Sequence, residues 1–233
     1  MQDVMWSGLV SLSHALLCDV LFLQDLMWSG LDAPVNVSEW GMAELVKNPD
    51  IQKKLQQELD NVVGKDRILK DSDLPNLPYL KCVIKEVFRL HPAGPFGVPR
   101  TSIAHTKVMG YDIPEGTQVM VSNLMLGRNP KVWADPLVFR PERWETSNLA
   151  LLSDPETRIF PFGVGRRSCA GANMGTSLVC LAVGNLVHSF DWVPPHGQSC
   201  DEIDMRLAMG GLLPMLNPLK AIATLRRPVP FTR

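Results

Sequence analysis

The 233-residue sequence has few of the features that mark a specialised class of protein. It carries 23 basic and 24 acidic side chains, so it has no excess of positive charge that would favour nucleic acid or an anionic membrane as its main partner. Hydrophobic residues make up 45% of the chain and charged residues 20%, which excludes wholesale disorder and a fibrous repeat.

Closely spaced cysteines are also absent. The five cysteines are scattered, at positions 18, 82, 169, 180 and 200, and none forms a CxxC pair. Their odd number, together with the absence of a secretory signal at residues 1–18, argues against a disulfide framework and indicates a reducing compartment. No close group of cysteine and histidine predicts a zinc site.

Long uninterrupted hydrophobic runs are missing as well. The apolar stretch at residues 8–31 contains two aspartates and a histidine, and the one at 207–225 contains two prolines and a lysine. Because charged residues are costly inside a bilayer, we expect neither stretch to span a membrane, and we find no anchor in this chain.

One short repeat is present. Residues 2–9, QDVMWSGL, are nearly repeated at residues 24–31, QDLMWSGL. A single extra copy does not make a repeat architecture. The second copy leads into a helical pattern and the first does not, so a duplicated exon edge or a gene-model artefact is the favoured explanation. We therefore treat residues 1–19 as an atypical segment and residues 20–233 as one unit.

Hydrophobic periodicity predicts a mainly helical chain with a few short strands. The first helix covers about residues 20–47, and Pro34 within it predicts a kink or a broken turn. Proline and glycine mark the ends of the later helices. The other predictions are helices at 50–63, 78–90 and about 171–188, strands within 103–122, a short helix within 123–134, an irregular segment at 135–168 and a tail of turns and short extended pieces at 190–233.

The strongest local feature is the glycine-rich sequence FGVGRRSCAG at residues 162–171. It places Cys169 just before an apolar helix, whose amino-terminal amides favour a thiolate, and thiolates bind soft and borderline metals. Gly165 and Gly171 leave room for a large flat group, and Arg167 could pair with an acid on that group. The alternative for an isolated cysteine is a buried thiol in a tight turn.

This loop resembles, position for position, the FxxGxRxCxG haem-binding loop of the cytochrome P-450 monooxygenases. Its matching residues are Phe162, Gly165, Arg167, Cys169 and Gly171. The resemblance implies that Cys169 is the protein ligand of haem iron and that the other four surround the haem. It also implies that Arg100, which follows Val98-Pro99, contacts a haem propionate, with an ordinary surface arginine as the alternative.

Two further motifs of the same family follow in the family's order. Glu86 and Arg89 resemble its ExxR helix motif, and residues 141–144, PERW, resemble its PERF-like motif. The resemblance implies a buried structural triad of Glu86, Arg89 and Arg143, whereas ExxR alone could be an exposed ion pair. The sequences RNPKVW at residues 128–133 and FRPERW at residues 139–144 resemble those of the plant microsomal branch.

The first predicted helix resembles the family's central helix on the distal side of the haem. The family usually shows small-Gly-x-acid-Thr there, and this sequence has Ser-Gly-Leu-Asp-Ala at residues 29–33. By resemblance, Gly30 leaves space for dioxygen and Asp32 relays protons through water. Ala33 replaces the usual alcohol. Pro34 and Asn36 match plant relatives that N-hydroxylate amino acids to oximes, whereas Ala33 does not, and a drifted or differently specialised hydroxylase is the alternative.

The resemblance implies a mainly α fold with small β-sheets, namely the C-terminal half of the cytochrome P-450 fold. It implies haem as cofactor, dioxygen, a small apolar or aromatic substrate, and electrons from NADPH through a reductase partner. The substrate would be a phenolic, fatty or amino-acid-derived compound of plant secondary metabolism. The apolar turn at residues 209–216 would form part of the pocket wall. The basic residues that could face the reductase are Arg128, Lys131, Arg166 and Arg167.

Family members are about twice as long as this chain, and they lie on the cytosolic face of the endoplasmic reticulum. Membrane association is therefore expected only for a full-length protein. Three functional hypotheses follow: part of an active monooxygenase, an inactive truncated fragment, or a haem-binding module without turnover.

Overall fold

The computed structural model describes residue 27 and residues 29–146 and 158–226. The atypical segment at residues 1–19 lies outside the described residues, as does the first copy of the short repeat. Within the described residues the fold is mainly helical, with three small two-stranded sheets. The predicted fold class is confirmed.

The α-helices follow the predicted pattern closely. Helix α1 covers residues 29–47 and runs unbroken across Pro34, so the predicted broken turn is absent. Pro34 lacks the backbone amide that would donate to the residue four positions earlier, and the helix continues past this missing donor. The others are α2 at Pro49–Val62, α3 at Pro78–Leu90, α4 at Asn123–Gly127 and α5 at Ala172–Ser189.

All three described sheets are antiparallel pairs. Strand β1 (Arg100–Thr101) pairs with β4 (Gln118–Val119), and β2 (Thr106–Val108) pairs with β3 (Tyr111–Ile113). Strand β5 (Phe190–Val193) pairs with β6 (Ile222–Leu225). The turns predicted at residues 110 and 116 are confirmed, and both have glycine at a positive φ, 88° and 81°.

Helix α3 is the centre of the core. Eleven of its thirteen residues are buried, and it contacts α2, α4, α5 and a 3₁₀ helix at Pro141–Trp144. Each fully buried Leu, Ile or Val contributes roughly 1.5–3 kcal/mol relative to an exposed one. The core side chains with the least exposure include Trp40, Leu45, Leu55, Leu59, Leu80, Ile84, Val87, Val183 and Val187.

The first turn of α3 is bonded to α2. The carboxylate of Glu58 accepts hydrogen bonds from the backbone amides of Tyr79 and Leu80 at 2.7 and 2.8 Å. These amides have no partner within their own helix, so the carboxylate caps the helix from a neighbouring element. Burial raises the pKa of Glu58, while these two hydrogen bonds act in the opposite direction. The contact fixes the position of α3, which carries the ExxR motif.

Candidate active site

The loop before α5 is closed by its own backbone. The amide of Cys169 donates to the carbonyl of Phe162 at 2.9 Å, and the amide of Ser168 donates to that of Gly165 at 3.1 Å. Gly163 and Gly165 have φ angles of 71° and 76°, which residues with a side chain rarely adopt. The glycines therefore allow the chain to fold back and hold Cys169 three residues before α5.

The same loop offers its thiol to an open face. Cys169 is exposed, as is every residue from 163 to 171. A β-carbon at Gly165 would have no neighbour within 4 Å, and one at Gly171 would lie 3.9 Å from the Cys169 sulfur. The thiol thus stands beside backbone that has no side chains, so a large flat group has room to approach it. These residues fit a haem bound through Cys169.

Phe162 anchors the loop to α3. Its ring meets that of Phe88 edge-on, with centroids 5.2 Å apart and an interplanar angle of 78°. Such aromatic pairs contribute about 0.5–1.5 kcal/mol beyond the area that they bury. The helix with the ExxR motif therefore also supports the cysteine loop.

Strand β1 brings Arg100 to the cysteine loop. Its Nη2 donates to the carbonyl oxygen of Arg167 at 3.3 Å, and both arginines are exposed. The guanidinium of Arg100 therefore lies at the loop that carries Arg167 and Cys169. Guanidinium groups bind carboxylates well, which fits the acidic groups of a haem.

The structure brings the predicted triad together around one carboxylate. Arg89 donates to both oxygens of Glu86 at 2.8 Å, and Nε of Arg143 donates to Oε1 at 2.9 Å. The side chains of Glu86 and Arg89 have no solvent exposure, and that of Arg143 has 9%. The pairing is buried, and the alternative of an exposed ion pair is wrong.

Further hydrogen bonds complete the triad. The indole of Trp144 donates to Oε2 of Glu86 at 2.8 Å, and the backbone amide of Arg140 donates to Oε1 at 3.0 Å. Arg89 also donates to the carbonyls of Gly127, Pro136 and Val138. Because a buried charge is tolerated only when its hydrogen bonds are satisfied, these contacts are as necessary as the ion pair.

Sequence reasoning missed two of these contributors. Trp144 is the last residue of the PERW motif. Its place beside Arg143 was the one sequence signal that its indole could also contact Glu86. Gly127 had no signal, because its role depends on a backbone approach between distant segments: a β-carbon there would overlap the carbonyl oxygen of Arg89. This close approach lets Arg89 reach the end of α4.

The structure leaves Gly30 and Asp32 apart from the cysteine loop. Gly30 is half-buried, Asp32 is exposed, and no described contact joins either residue to that loop. Further along α1, Asn36 is buried, and its Oδ1 has no hydrogen-bond partner among the described residues. The side chain of Asn36 therefore offers a buried hydrogen-bond acceptor about one helical turn after Ala33, which replaces the usual alcohol.

The predicted basic face needs one correction. Arg128 is half-buried, and it donates through Nε and Nη2 to the carbonyl of Leu90 at 3.2 and 2.8 Å. It satisfies the end of α3, where carbonyls lack partners within the helix, so it is not a free surface charge. Lys131, Arg166 and Arg167 are exposed as expected.

Comparison with known proteins settles the family. A sequence model described as Cytochrome P-450 matches residues 20–220. The chain belongs to the cytochrome P-450 family. Cytochrome P-450 98A1 of Sorghum bicolor is 46% identical over 193 residues, covering 83% of this chain and 38% of that protein. The phenylalanine N-monooxygenase of Arabidopsis thaliana is 43% identical, covering 84% of this chain and 37% of that protein.

Solved structures of the family agree with this cytochrome P-450 fold. A zebrafish cytochrome P-450 with abiraterone superimposes with a TM-score of 0.76 and 30% identity, covering 87% of this chain and 46% of that one. A zebrafish cytochrome P-450 with progesterone superimposes with a TM-score of 0.75 and 29% identity, covering 87% of this chain and 44% of that one. The chain spans less than two fifths of the length of the curated relatives that it matches. None of the helices in the described part of this cytochrome P-450 chain is long and apolar enough to span a membrane.

Proposed function

We propose that this chain binds haem through the thiolate of Cys169 and forms the haem-binding part of a plant monooxygenase. The observation that carries the proposal is the exposed Cys169 thiol in a glycine-lined loop, immediately before α5. When bound, haem supplies the activation of dioxygen, by which one oxygen atom enters the substrate and the other leaves as water.

The residues of the loop prepare the ligand. The loop holds Cys169 exposed, three residues before the start of α5. Gly165 and Gly171 keep the approach free of side chains, and Phe162 holds the loop against α3. Arg100 and Arg167 would hold the carboxylates of the haem.

The buried triad has a structural part in this proposal. Glu86 joins α3 to the 3₁₀ helix at Pro141–Trp144 through Arg143 and Trp144, and Arg89 on α3 holds the same carboxylate. Helix α3 also supports the cysteine loop, through Phe88. By fixing α3, the triad therefore keeps the loop that carries Cys169 rigid. A ligand atom must be held to within a fraction of an ångström, and a rigid supporting shell does this.

Helix α1 supplies the distal side. Gly30 leaves space for dioxygen, and Asp32 holds or passes a proton through water. The methyl side chain of Ala33 cannot donate a hydrogen bond. The polar groups close to it on α1 include Asp32 and the Oδ1 of Asn36, which has no partner among the described residues. We assign proton delivery to Asp32 with ordered water.

The relatives indicate the class of substrate. Among them are a flavonoid 3',5'-hydroxylase of Crocosmia x crocosmiiflora, 41% identical, and a geranylhydroquinone 3''-hydroxylase of Arnebia euchroma, 44% identical. We therefore propose hydroxylation of a small phenolic compound of plant secondary metabolism. N-oxidation of an amino acid is the second candidate, favoured by Pro34, Asn36 and the 43% identity to the phenylalanine N-monooxygenase.

The electron donor and the location follow from the family. We propose that electrons come from NADPH through a reductase on the endoplasmic reticulum, which docks at the exposed cations Lys131 and Arg166. Arg166 belongs to the cysteine loop itself, so docking there would bring the donor to the thiolate side.

Turnover tests the proposal against its alternatives. The 233-residue chain is expressed with haem and mixed with a plant reductase, NADPH and a panel of phenolic compounds and amino acids. A hydroxylated phenolic product supports the main proposal, and an oxime from an amino acid supports the second candidate. Haem binding without any product indicates a module without turnover, and folded chain without haem indicates an inactive fragment.

A further inference from the structure

One backbone position in the C-terminal part is held from two sides. The indole N–H of Trp40, on α1, donates to the carbonyl of Leu213 at 2.7 Å, across 173 residues of sequence. The amide of Leu213 donates to the carbonyl of Ala93 at 2.9 Å, just after α3. Leu213 therefore joins the distal helix to the segment that follows the ExxR helix.

Leu213 belongs to a tight hairpin at residues 206–216. The amide of Ala208 donates to Pro214 at 2.9 Å, that of Leu216 donates to Arg206 at 2.8 Å, and residues 207 and 215 form an isolated bridge. Leu213 and Met215 in the second arm of the hairpin are buried, while residues 209–211 at its tip are exposed. A hairpin this short has little stability alone, so its position depends on external bonds.

Trp40 is itself firmly held. Only 1% of its surface is exposed, and its ring stacks on that of His91 at 4.2 Å and 9°. Nε2 of His91 lies 2.7 Å from Oε1 of Glu44, also on α1. Burial lowers the pKa of His91, so the ring is neutral near pH 7 and donates from Nε2 to the carboxylate. The stack on His91 therefore fixes the direction in which the indole N–H of Trp40 points.

The hairpin borders a segment that contacts the cysteine loop. That segment runs from Ala93 to Arg100, which donates to the carbonyl of Arg167. A β-carbon at Gly94 would lie 3.9 Å from the carbonyl oxygen of Gly211, at the tip of the hairpin. Movement of the hairpin would therefore change the space beside residues 93–100, the last of which contacts the cysteine loop.

We propose that Trp40 is a positioning residue that fixes the hairpin at residues 206–216 and thereby sets the size of substrate that the site accepts. The role in substrate size rests on the proposed haem function, whereas the role in holding the hairpin does not. Burial alone does not account for the arrangement, because a phenylalanine would fill the same core and leave the carbonyl of Leu213 without its donor.

Hydrogen exchange tests the first part without haem. In the 233-residue chain, Trp40→Phe keeps the ring stack but removes the donor, so peptides covering residues 206–216 should exchange roughly tenfold faster. Trp192→Phe is the matched control, because its indole also donates to a carbonyl, that of Leu186 at 2.9 Å. Equal protection of the hairpin in both variants would overturn the proposal.

Azole binding tests the second part in the haem-loaded chain. Imidazole and 4-phenylimidazole are titrated by their shift of the haem absorption band. In Trp40→Phe the affinity for 4-phenylimidazole should change about fivefold or more while that for imidazole stays within about twofold, and Trp192→Phe should change neither. Equal changes for both azoles would overturn the specificity role. A chain that takes up no haem would refute the proposed function, and the exchange result alone would then decide whether Trp40 holds the hairpin.

Discussion

The α-carbon of Gly127 stands so close to the carbonyl oxygen of Arg89 that a β-carbon on Gly127 would overlap that oxygen. The end of α4 therefore meets α3 backbone to backbone, at the residue whose guanidinium completes the buried triad. This approach lets Arg89 donate to the carbonyl of Gly127 while it holds Glu86.

Gly127→Ala should accordingly destabilise the chain by about 3 kcal/mol or more, since the overlap is with backbone and neither helix can shift freely. The free energy of unfolding in urea measures the effect. Gly175→Ala is the matched control, because a β-carbon at this helical position in α5 meets nothing within 4 Å. It should be neutral or stabilising by up to about 1 kcal/mol. Equal losses in both variants would contradict the assigned contact.

Loss of the buried charge at the triad should be costly. Glu86→Gln leaves the buried Arg89 and Arg143 without their counter-ion, and we expect a loss of about 3–5 kcal/mol in the free energy of unfolding. Glu145→Gln breaks the exposed pair with Lys54 at 2.8 Å and should cost at most about 1 kcal/mol. Similar small losses for both variants would show that the triad is not the buried network described above.

Acid should weaken the stack of Trp40 and His91. The pKa of His91 is lowered chiefly by burial, against the raising effect of Glu44, with Arg128 and Arg89 lowering it further. Below about pH 6.5 the unfolded chain takes up a proton that the folded chain resists, so stability falls as the pH falls. The penalty stops growing once the pH is below the folded pKa.

His91→Gln removes this titration. The stability of the parent chain relative to His91→Gln should therefore decrease between pH 7 and pH 5, as measured by urea unfolding at each pH. A difference that stays constant, or that grows toward acid, would mean that His91 is not held neutral in the folded chain.

Features that depend on neighbouring residues in the sequence could be predicted, whereas contacts between distant segments could not. Helix α3 was predicted at about residues 78–90, in agreement with the structure, because Pro78 begins it and His91-Pro92 ends it, and both signals are local. The cysteine loop was also recognisable, since a run of ten residues carries all its motif positions. These features need no knowledge of the chain elsewhere.

Contacts between distant segments could not be predicted in the same way. Trp40 and Leu213 lie 173 residues apart, and nothing in either sequence neighbourhood indicates the other. Arg128 looked like a surface cation because its partner, the carbonyl of Leu90, is a backbone group that any residue could supply. Such contacts follow from packing, which local patterns do not encode.

Removal of the Arg100 guanidinium should weaken the hold on haem. Arg100→Leu loses a charge-assisted contact to an acidic group, so haem should transfer to an acceptor such as apomyoglobin about tenfold faster. Arg166→Leu removes a neighbouring exposed cation and should change the transfer rate less than about twofold. Equal rates for the two variants and the parent chain would remove Arg100 from the proposed haem contacts.

The identity of the iron ligand is the central claim, and one spectrum tests it most directly. The haem-loaded chain is reduced and exposed to carbon monoxide, and its main absorption band is compared with those of Cys169→Ala and Cys200→Ala. We predict the long-wavelength band of thiolate ligation in the parent chain and in Cys200→Ala, and its loss in Cys169→Ala. The same band in all three proteins, or its absence from folded, haem-supplied parent chain, would contradict the account.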